Sequence, residues 1–220
     1  MNGILLNNLE DCEFSSNPFL HRKFKLFEDN LCDELIKNFT KIKNNMNRFD
    51  GISQSRFMIC LSGDSLSGID FAKFNFLKEI EPLNTLLLNY HFFILPILNK
   101  KYGFSDNFKY QINLVYDTKN YEIGPHTDSY NRKITNIVYL VSQNDKGKKI
   151  GVSLYKDLIN RHQYKWEKTH YSFDNFEKID SVPFYPGSSI DFKVSNESFH
   201  GLKSIDEDCE RMSIQSMIWK

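Results

Sequence analysis

The sequence predicts a mainly β fold with supporting helices, built on a jelly roll, or double-stranded β-helix, core. Two observations lead to this prediction. Apolar residues recur at helical spacing in the N-terminal half, and from residue 108 onward they recur with a period of two. Helices followed by many antiparallel strands fit a jelly roll that is buttressed on one face by helices.

The helices come first along the chain. Residues 29–45 place apolar side chains on one helical face, behind residues that can cap the start. Residues 75–100 predict a second helical region, broken near Pro82 and again near Pro96, because proline cannot continue the hydrogen-bond ladder. The longest apolar run, Leu86 to Leu98, is shorter than the roughly 20 residues that cross a bilayer. We therefore expect no membrane partner.

The strands follow in the second half. Period-two segments predict strands at 110–116, 123–128, 134–142, 150–155, 187–193, 198–204 and 211–219. In the last strand, Arg211 and Ser213 share one face, and Met212 and Ile214 share the other. Residues 156–182 are predicted to form an irregular insert rich in aromatic and charged side chains. Such a loop beside the mouth of a jelly roll is a natural place for substrate contacts.

A single domain over residues 1–220 is expected, since β-rich domains commonly reach about 200–250 residues. Within it, residues 1–107 are predicted to be mostly helical support and residues 108–220 to be the jelly-roll core. The 19 Phe and 11 Tyr supply large apolar groups for that core.

Charge and cysteine usage narrow the partners and the compartment. The 28 Lys and Arg equal the 28 Asp and Glu, so no net field would draw the protein to nucleic acid or an anionic membrane. The four cysteines are scattered, and no basic-then-apolar signal segment follows Met1. A cytoplasmic location is therefore expected. The oligomeric state is left open.

The chemistry is predicted from two histidines and a carboxylate. His126 and Asp128 stand two residues apart, so a strand points both side chains to one face, and His200 lies on a later strand. This ligand set holds non-haem Fe(II) on one face of its octahedron and leaves the opposite face open. Arg211 and Ser213 would bring a cation and a hydroxyl to the same cavity, which fits a dicarboxylate cosubstrate.

Several short motifs together resemble one enzyme family. The chain is similar to the Fe(II)/2-oxoglutarate-dependent oxygenases, particularly the prolyl-hydroxylase-like branch and the bacterial and phage oxygenases grouped with sugar pathways. The matching pieces are Gly124-Pro125-His126-Thr127-Asp128, Tyr139-Leu140, Gly151 to Tyr155, Val182-Pro183-Phe184, Ser198-Phe199-His200-Gly201 and Arg211-x-Ser213. They fall between about residues 110 and 219, which is half of the chain.

The resemblance implies a mechanism and residue roles. The three metal ligands would bind Fe(II), and 2-oxoglutarate would chelate it while its distal carboxylate pairs with Arg211 and accepts from Ser213. Tyr116 matches a tyrosine that lines the cosubstrate pocket, although a role as a core tyrosine is the alternative, and Asn113 and Thr135 are weaker candidates of the same kind. With O₂, the usual outcome is hydroxylation of an unactivated C–H, with release of succinate and CO₂.

The substrate is expected to be a small polar molecule such as a saccharide or nucleotide sugar. Aromatic side chains of the insert could stack on sugar faces, or they could only pack the insert onto the barrel, and Arg132 and Lys133 could hold an anionic group. The insert aromatics are Tyr164, Trp166, Tyr171, Phe173 and Phe176. The alternatives are a protein hydroxylase acting on prolyl or other side chains, and a cupin-like metal- or sugar-binding jelly roll without oxygenase activity.

The remaining histidines are not expected in the site. They are His21, His91, His162 and His170, and none has a partner at ligand spacing. A cupin would be expected to carry further histidines near His126, and this absence from the sequence disfavours the cupin alternative.

Overall fold

The structure is a computed structural model that describes residues 3–44, 46–48, 55–63, 80–104, 107–159, 170–205 and 208–219. The helices in these residues are α1 (Leu6–Asp11), α2 (Asp29–Lys43), α3 (Leu83–Asn89) and α4 (Leu95–Lys101), with a π-helical turn at Tyr90–Ile94 and a 3₁₀ turn at Phe173–Asn175. None of these helices is both long and apolar enough to cross a membrane.

The strands form two antiparallel sheets. They are β1 (His21–Lys25), β2 (Asn47–Arg48), β3 (Arg56–Gly63), β4 (Lys109–Asp117), β5 (Ile123–His126), β6 (Arg132–Leu140), β7 (Ser153–Asp157), β8 (Phe176–Ser181), β9 (Ser188–Lys193), β10 (His200–Leu202) and β11 (Arg211–Trp219). The larger sheet has the order β1-β9-β6-β11-β4-β3-β2, and the smaller sheet has the order β5-β10-β7-β8. This architecture confirms the predicted mainly β fold with a jelly-roll core.

The larger sheet separates two apolar cores. On β11, Met212 and Ile214 pack into the core shared with α2, α3 and α4. On β6, Ile137 and Tyr139 pack instead into the core that the two sheets enclose, as does Leu154 of the smaller sheet. Alternate residues of each strand therefore serve opposite faces, and the inner face can carry the site.

The N-terminal half contributes more strand than the sequence predicted. Residues 1–107 were expected to be mostly helical, yet β1 and the β2–β3 hairpin form the two edges of the larger sheet. The charged segment His21–Lys25 shows no apolar strand pattern in the sequence. Its Arg22 is nevertheless fully buried, because it pairs with Asp191 of β9. That contact is long-range, and no local pattern reveals it. The single-domain assignment stays a prediction.

The predicted helices agree with the structure in part. The helix over 29–45 is present as α2, and α3 begins directly after Pro82, as predicted. Pro96 does not break the chain into separate helices. It lies in the first turn of α4, directly after the π-helical turn, and the Leu95 amide before it still donates to the Tyr90 carbonyl, so the helical backbone continues. Residues 75–79 lie outside the described part of the chain.

The predicted insert is not irregular throughout. Residues 153–157 and 176–181 pair as strands β7 and β8, with Asp157 opposite Phe176. Residues 160–169 lie outside the described residues. The pairing escaped the sequence reasoning because the charged side chains of Glu177, Lys178 and Asp180 leave β8 without a period-two apolar pattern.

Candidate metal centre

Three predicted ligands meet at the junction of β5 and β10. His126 and His200 are directly opposite each other in the antiparallel pair, with ring centroids 4.4 Å apart. Asp128 follows two residues after His126, and one ligand atom from each of the three side chains lies within 4.8 Å of the others. The structure thus brings together the residues that the sequence selected, while metal binding itself stays a prediction.

Backbone carbonyls orient both imidazoles in the same way. The Nδ1 of His126 is 2.9 Å from the Gly124 carbonyl oxygen, and the Nδ1 of His200 is 3.0 Å from that of Ser198. A carbonyl can only accept, so each Nδ1 carries the proton and donates it. Each neutral ring therefore presents the lone pair of Nε2 to the metal, which is the second-sphere arrangement typical of metal-binding histidines.

Electrostatics favour the forms that bind a metal. Burial, followed by the positive charge of His200, lowers the pKa of His126 well below its ordinary value. Burial alone would raise the pKa of Asp128, but the charge of Arg132 and of the two histidines outweighs it and lowers that pKa. Arg132 Nη1 donates to Asp128 Oδ1 over 2.8 Å, and the Thr135 hydroxyl donates to Oδ2. A neutral His126 imidazole and an ionised Asp128 carboxylate fit a divalent iron site.

Two glycines permit the close approach of backbone that builds this site. A Cβ on Gly201 would lie 2.7 Å from the Ile123 carbonyl oxygen, so only glycine lets β10 sit against β5 here. A Cβ on Gly124 would lie 2.2 Å from the Tyr171 carbonyl oxygen. The second clash shows that residues of the insert are seated on the strand that carries His126.

Arg211 is buried in a cluster of charges that the sequence reasoning did not find. Its Nη1 donates to Asp117 Oδ2, and its Nε donates to the Ile150 carbonyl over 2.8 Å. Arg56 donates to the same carboxylate, from Nε over 2.6 Å and from Nη2 over 2.9 Å. Asp117 is paired across the sheet with Arg56 on one side and with Arg211 on the other. Arginine remains protonated in proteins, so these three residues carry one positive charge in excess.

Two tyrosine hydroxyls border the arginine cluster, which we define as Arg56, Asp117 and Arg211. The Tyr139 hydroxyl accepts from Arg211 Nη2 over 3.2 Å and from the Val152 amide over 2.7 Å, so its own proton is directed elsewhere. The Tyr121 ring lies 4.3 Å from the Arg56 guanidinium carbon, and its buried hydroxyl has no hydrogen-bond partner in the described part of the chain. Burial raises the pKa of Tyr121, which keeps that hydroxyl protonated as a donor.

Tyr116 does not face the cavity, which corrects the prediction that it lines a cosubstrate pocket. Strand alternation turns it away from Asp117 and into the helix-side core, where its ring packs against Phe39 and Phe57. Its hydroxyl donates to Glu210 over 2.9 Å. The tyrosines near the arginine cluster are Tyr121 and Tyr139 instead.

The other predicted polar residues lie on the inner face or beside the ligands. Ser213 is fully buried two residues from Arg211, and its Oγ accepts from Gln215 over 3.2 Å. Asn113 accepts from Gln111 over 2.9 Å. Thr135 serves Asp128 rather than an open pocket, so its position supports the metal centre.

His170 is the functional candidate that the sequence reasoning missed. Its ring centroid lies 5.0 Å from that of His126, at an interplanar angle of 79°. Both ring nitrogens are buried, and neither has a hydrogen-bond partner among the described residues. The Tyr171 amide donates to the Pro125 carbonyl over 3.0 Å, which holds the segment against β5. Nothing in the local sequence around His170 signals this placement.

The other histidines lie away from the centre or outside the described chain. His21 contacts the Phe19 carbonyl over 2.8 Å, and His91 contacts the Tyr110 hydroxyl over 2.9 Å. His162 falls in the residues that the structure does not describe.

The described aromatic residues of the insert pack onto the small sheet. Tyr171 and Phe173 lie against a cluster of Tyr155, Phe176 and Phe199. Tyr164 and Trp166, the other two proposed stacking residues, lie outside the described residues. Arg132, proposed to hold an anionic substrate group, is paired with Asp128.

Comparison with known proteins identifies solved structures with a similar fold. No protein-family model and no curated protein matches the sequence. A prolyl hydroxylase from Trichoplax adhaerens, solved with a hypoxia inducible factor peptide, is 13% identical with a TM-score of 0.55, over 98% of this chain and 87% of that one. A prolyl 4-hydroxylase from Phytophthora capsici is 16% identical with a TM-score of 0.53, over 97% of this chain and 61% of that one.

A third similar structure is that of an enzyme with a different reaction. The non-haem alpha ketoglutarate dependent epimerase SnoN of nogalamycin biosynthesis is 10% identical with a TM-score of 0.57, over 98% of this chain and 79% of that one. SnoN has also been solved with Fe³⁺, alpha ketoglutarate and nogalamycin RO. Identities this low establish the fold alone. The chain has the fold of the Fe(II)- and 2-oxoglutarate-dependent oxygenases, including the prolyl hydroxylases.

Proposed function

We propose that the protein is an Fe(II)- and 2-oxoglutarate-dependent dioxygenase that hydroxylates an unactivated C–H of a small polar substrate and releases succinate and CO₂. The observation that carries the proposal is the convergence of His126, Asp128 and His200, with both imidazoles fixed to offer Nε2. Bound Fe(II) would supply the activation of O₂. The protein disfavours the protonated forms of His126 and Asp128 and keeps the carboxylate oriented through Arg132 and Thr135.

The arginine cluster supports a cosubstrate that carries a carboxylate. Arg211 and Arg56 share the single carboxylate of Asp117, and all three side chains are largely removed from water. An excess positive charge in such a place is unfavourable unless an anion compensates it. The distal carboxylate of 2-oxoglutarate would provide that charge, with the Tyr121 and Tyr139 hydroxyls as further donors.

Metal and cosubstrate binding can be tested stepwise without oxygen. Anaerobic calorimetry should show one Fe(II) bound per chain, followed by 2-oxoglutarate binding that requires the metal. His126→Ala, Asp128→Ala and His200→Ala should each abolish iron binding at micromolar metal, whereas His91→Ala should bind normally because His91 lies elsewhere. Unchanged iron affinity in all three ligand variants would place the site elsewhere and contradict the proposal.

The class of substrate is tested by succinate formation. SnoN was solved with the small molecule nogalamycin RO, and the Trichoplax enzyme with a peptide, so the same fold serves both classes. We propose the small-molecule class, and screening nucleotide sugars, amino acids and proline-containing peptides for substrate-dependent succinate release tests it. Stimulation by peptides alone would favour a protein hydroxylase. Metal binding without any 2-oxoglutarate binding would favour a cupin-like protein without oxygenase activity.

We also propose a cytoplasmic location. The four cysteines are scattered along the sequence without CxxC spacing, which supports a reducing compartment.

A further inference from the structure

The two buried ring nitrogens of His170 have no hydrogen-bond partner in the candidate metal centre. Its two ring nitrogens are both inaccessible to solvent and unpaired within the described residues. Whatever its protonation state, an imidazole carries at least one N–H. A buried donor without a partner is unfavourable, so such a group in a binding site is a candidate to donate to a ligand atom.

The position of His170 is held by its backbone, not by its ring. The Tyr171 amide is bonded to the Pro125 carbonyl, and Gly124 has no side chain that would displace the Tyr171 carbonyl. The Tyr171 ring packs 6.1 Å from that of Phe199. Removal of the His170 imidazole therefore leaves the anchoring contacts intact, and the ring is available for a role other than packing.

His170 stands beside the ligand set without belonging to it. Its ring meets the His126 ring edge-on, yet the set whose ligand atoms lie within 4.8 Å of one another contains only His126, Asp128 and His200 among the described residues. The ring therefore lies directly beside the proposed ligand set, against His126.

We propose that His170 donates a hydrogen bond to a carboxylate or keto oxygen of 2-oxoglutarate where the cosubstrate passes between the metal and the arginine cluster. This inference rests on the proposed function, which places one end of the cosubstrate at the metal and the other at Arg211. It makes His170 a cosubstrate-binding residue that the motifs of the sequence do not include.

Cosubstrate binding, rather than turnover, is the quantity to measure. Anaerobic calorimetry of the Fe(II)-loaded protein should give a dissociation constant for 2-oxoglutarate that rises about tenfold or more in His170→Ala, since a hydrogen bond to a charged group is lost. Fe(II) affinity should be unchanged. His170→Gln, which keeps an N–H donor, should recover most of the affinity, and His91→Ala should match the unmodified protein.

The outcomes separate this inference from the proposed function. If the unmodified protein binds Fe(II) but not 2-oxoglutarate, the proposed function fails. If it binds both, and His170→Ala binds 2-oxoglutarate equally well, His170 does not contact the cosubstrate. A loss of Fe(II) affinity in His170→Ala would make it a metal ligand instead and would also overturn the inference.

Discussion

At the scale of single residues, the site depends on which partner each charge has. Arg132 and Thr135 donate hydrogen bonds to Asp128, so its two oxygens are oriented before any metal binds. Arg211 donates a hydrogen bond to Asp117, and Arg56 donates to the same carboxylate. The negative charge of Asp128 is thus balanced within the chain by Arg132, while the arginine cluster retains one positive charge that an anionic ligand could balance.

Truncation of Arg211 should weaken cosubstrate binding without removing the metal. Arg211→Ala should raise the dissociation constant of 2-oxoglutarate by roughly 30- to 1,000-fold, equivalent to about 2–4 kcal/mol, because a buried charge-assisted contact is lost. Arg211→Lys should recover part of this loss, since lysine keeps the charge but not the planar fork. Anaerobic calorimetry measures both affinities. Wild-type dependence on 2-oxoglutarate in Arg211→Ala would remove Arg211 from the site.

Arg132 should matter to the metal through the carboxylate that it orients. Arg132→Ala removes the charged donor to Asp128 Oδ1, and loss of such a supporting contact typically lowers metal affinity by about 10- to 100-fold. Lys133→Ala removes a neighbouring cation but leaves the Arg132 donor in place, so it serves as the matched control. Fe(II) titrations of the two variants should differ. Equal affinities would mean that Arg132 does not contribute to the orientation of Asp128 for the metal.

At the scale of elements, the candidate metal centre depends on the close pairing of β10 with β5. Their pairing sets His126 opposite His200, and the pairing is irregular between His200 and Leu202. Gly201 stands at this irregularity, where a side chain would meet backbone atoms of β5. The geometry of the metal site is therefore a property of strand pairing as much as of the ligands.

Gly201→Ala should separate the two strands and damage the metal site. The added methyl would meet the Ile123 carbonyl and Gly124, and backbone atoms cannot move aside cheaply. We expect at least a tenfold loss of Fe(II) affinity, accompanied by destabilisation of about 1–3 kcal/mol.

Gly103→Ala is the control for this variant, because its φ of 72° makes alanine unfavourable but open space surrounds it. It should lose stability in urea while its Fe(II) affinity stays unchanged. If Gly201→Ala bound Fe(II) as tightly as the unmodified protein, the close approach of β10 to β5 would not be required for the site.

At the scale of the whole molecule, the two halves of the chain are joined through the larger sheet. β1 adds to β9 at one edge, and β3 adds to β4 at the other. One buried ion pair secures the first edge: Arg22 donates to Asp191 over 3.0 and 2.6 Å, and Tyr102 donates to the same carboxylate over 2.6 Å. The N-terminal half is therefore part of the β core and not only a support for it.

Removal of the buried arginine should destabilise the whole fold. Arg22→Ala leaves Asp191 as a buried charge without its cation, and such changes lower the free energy of unfolding by about 3–5 kcal/mol. Lys23→Ala breaks the partly exposed pair with Asp180 and should lower it by about 1 kcal/mol or less. Urea unfolding measures both. Similar losses in the two variants would mean that the buried Arg22 pair stabilises the fold no more than a surface pair does.

The sequence by itself selected the three residues that we propose as metal ligands and predicted the face on which Arg211 lies. His126 and Asp128 are two residues apart on a strand, and Arg211 alternates with Met212 and Ile214, so period-two geometry and short motifs were sufficient. The mainly β fold was predictable for the same reason. The helix-side core confirms the alternation, since Met212 and Ile214 lie in it.

Only the tertiary structure decided which face of β4 borders the site and what reaches it from elsewhere. Tyr116 and Asp117 are adjacent, so a shift of one residue exchanges the inner and outer sides, and neighbouring strands alone settle the choice. Arg56 reaches the arginine cluster through the pairing of β3 with β4, and His170 reaches the proposed metal ligands through the bond of Tyr171 to Pro125. A local pattern carries no information on such contacts, because they form only when distant segments of the chain pack together.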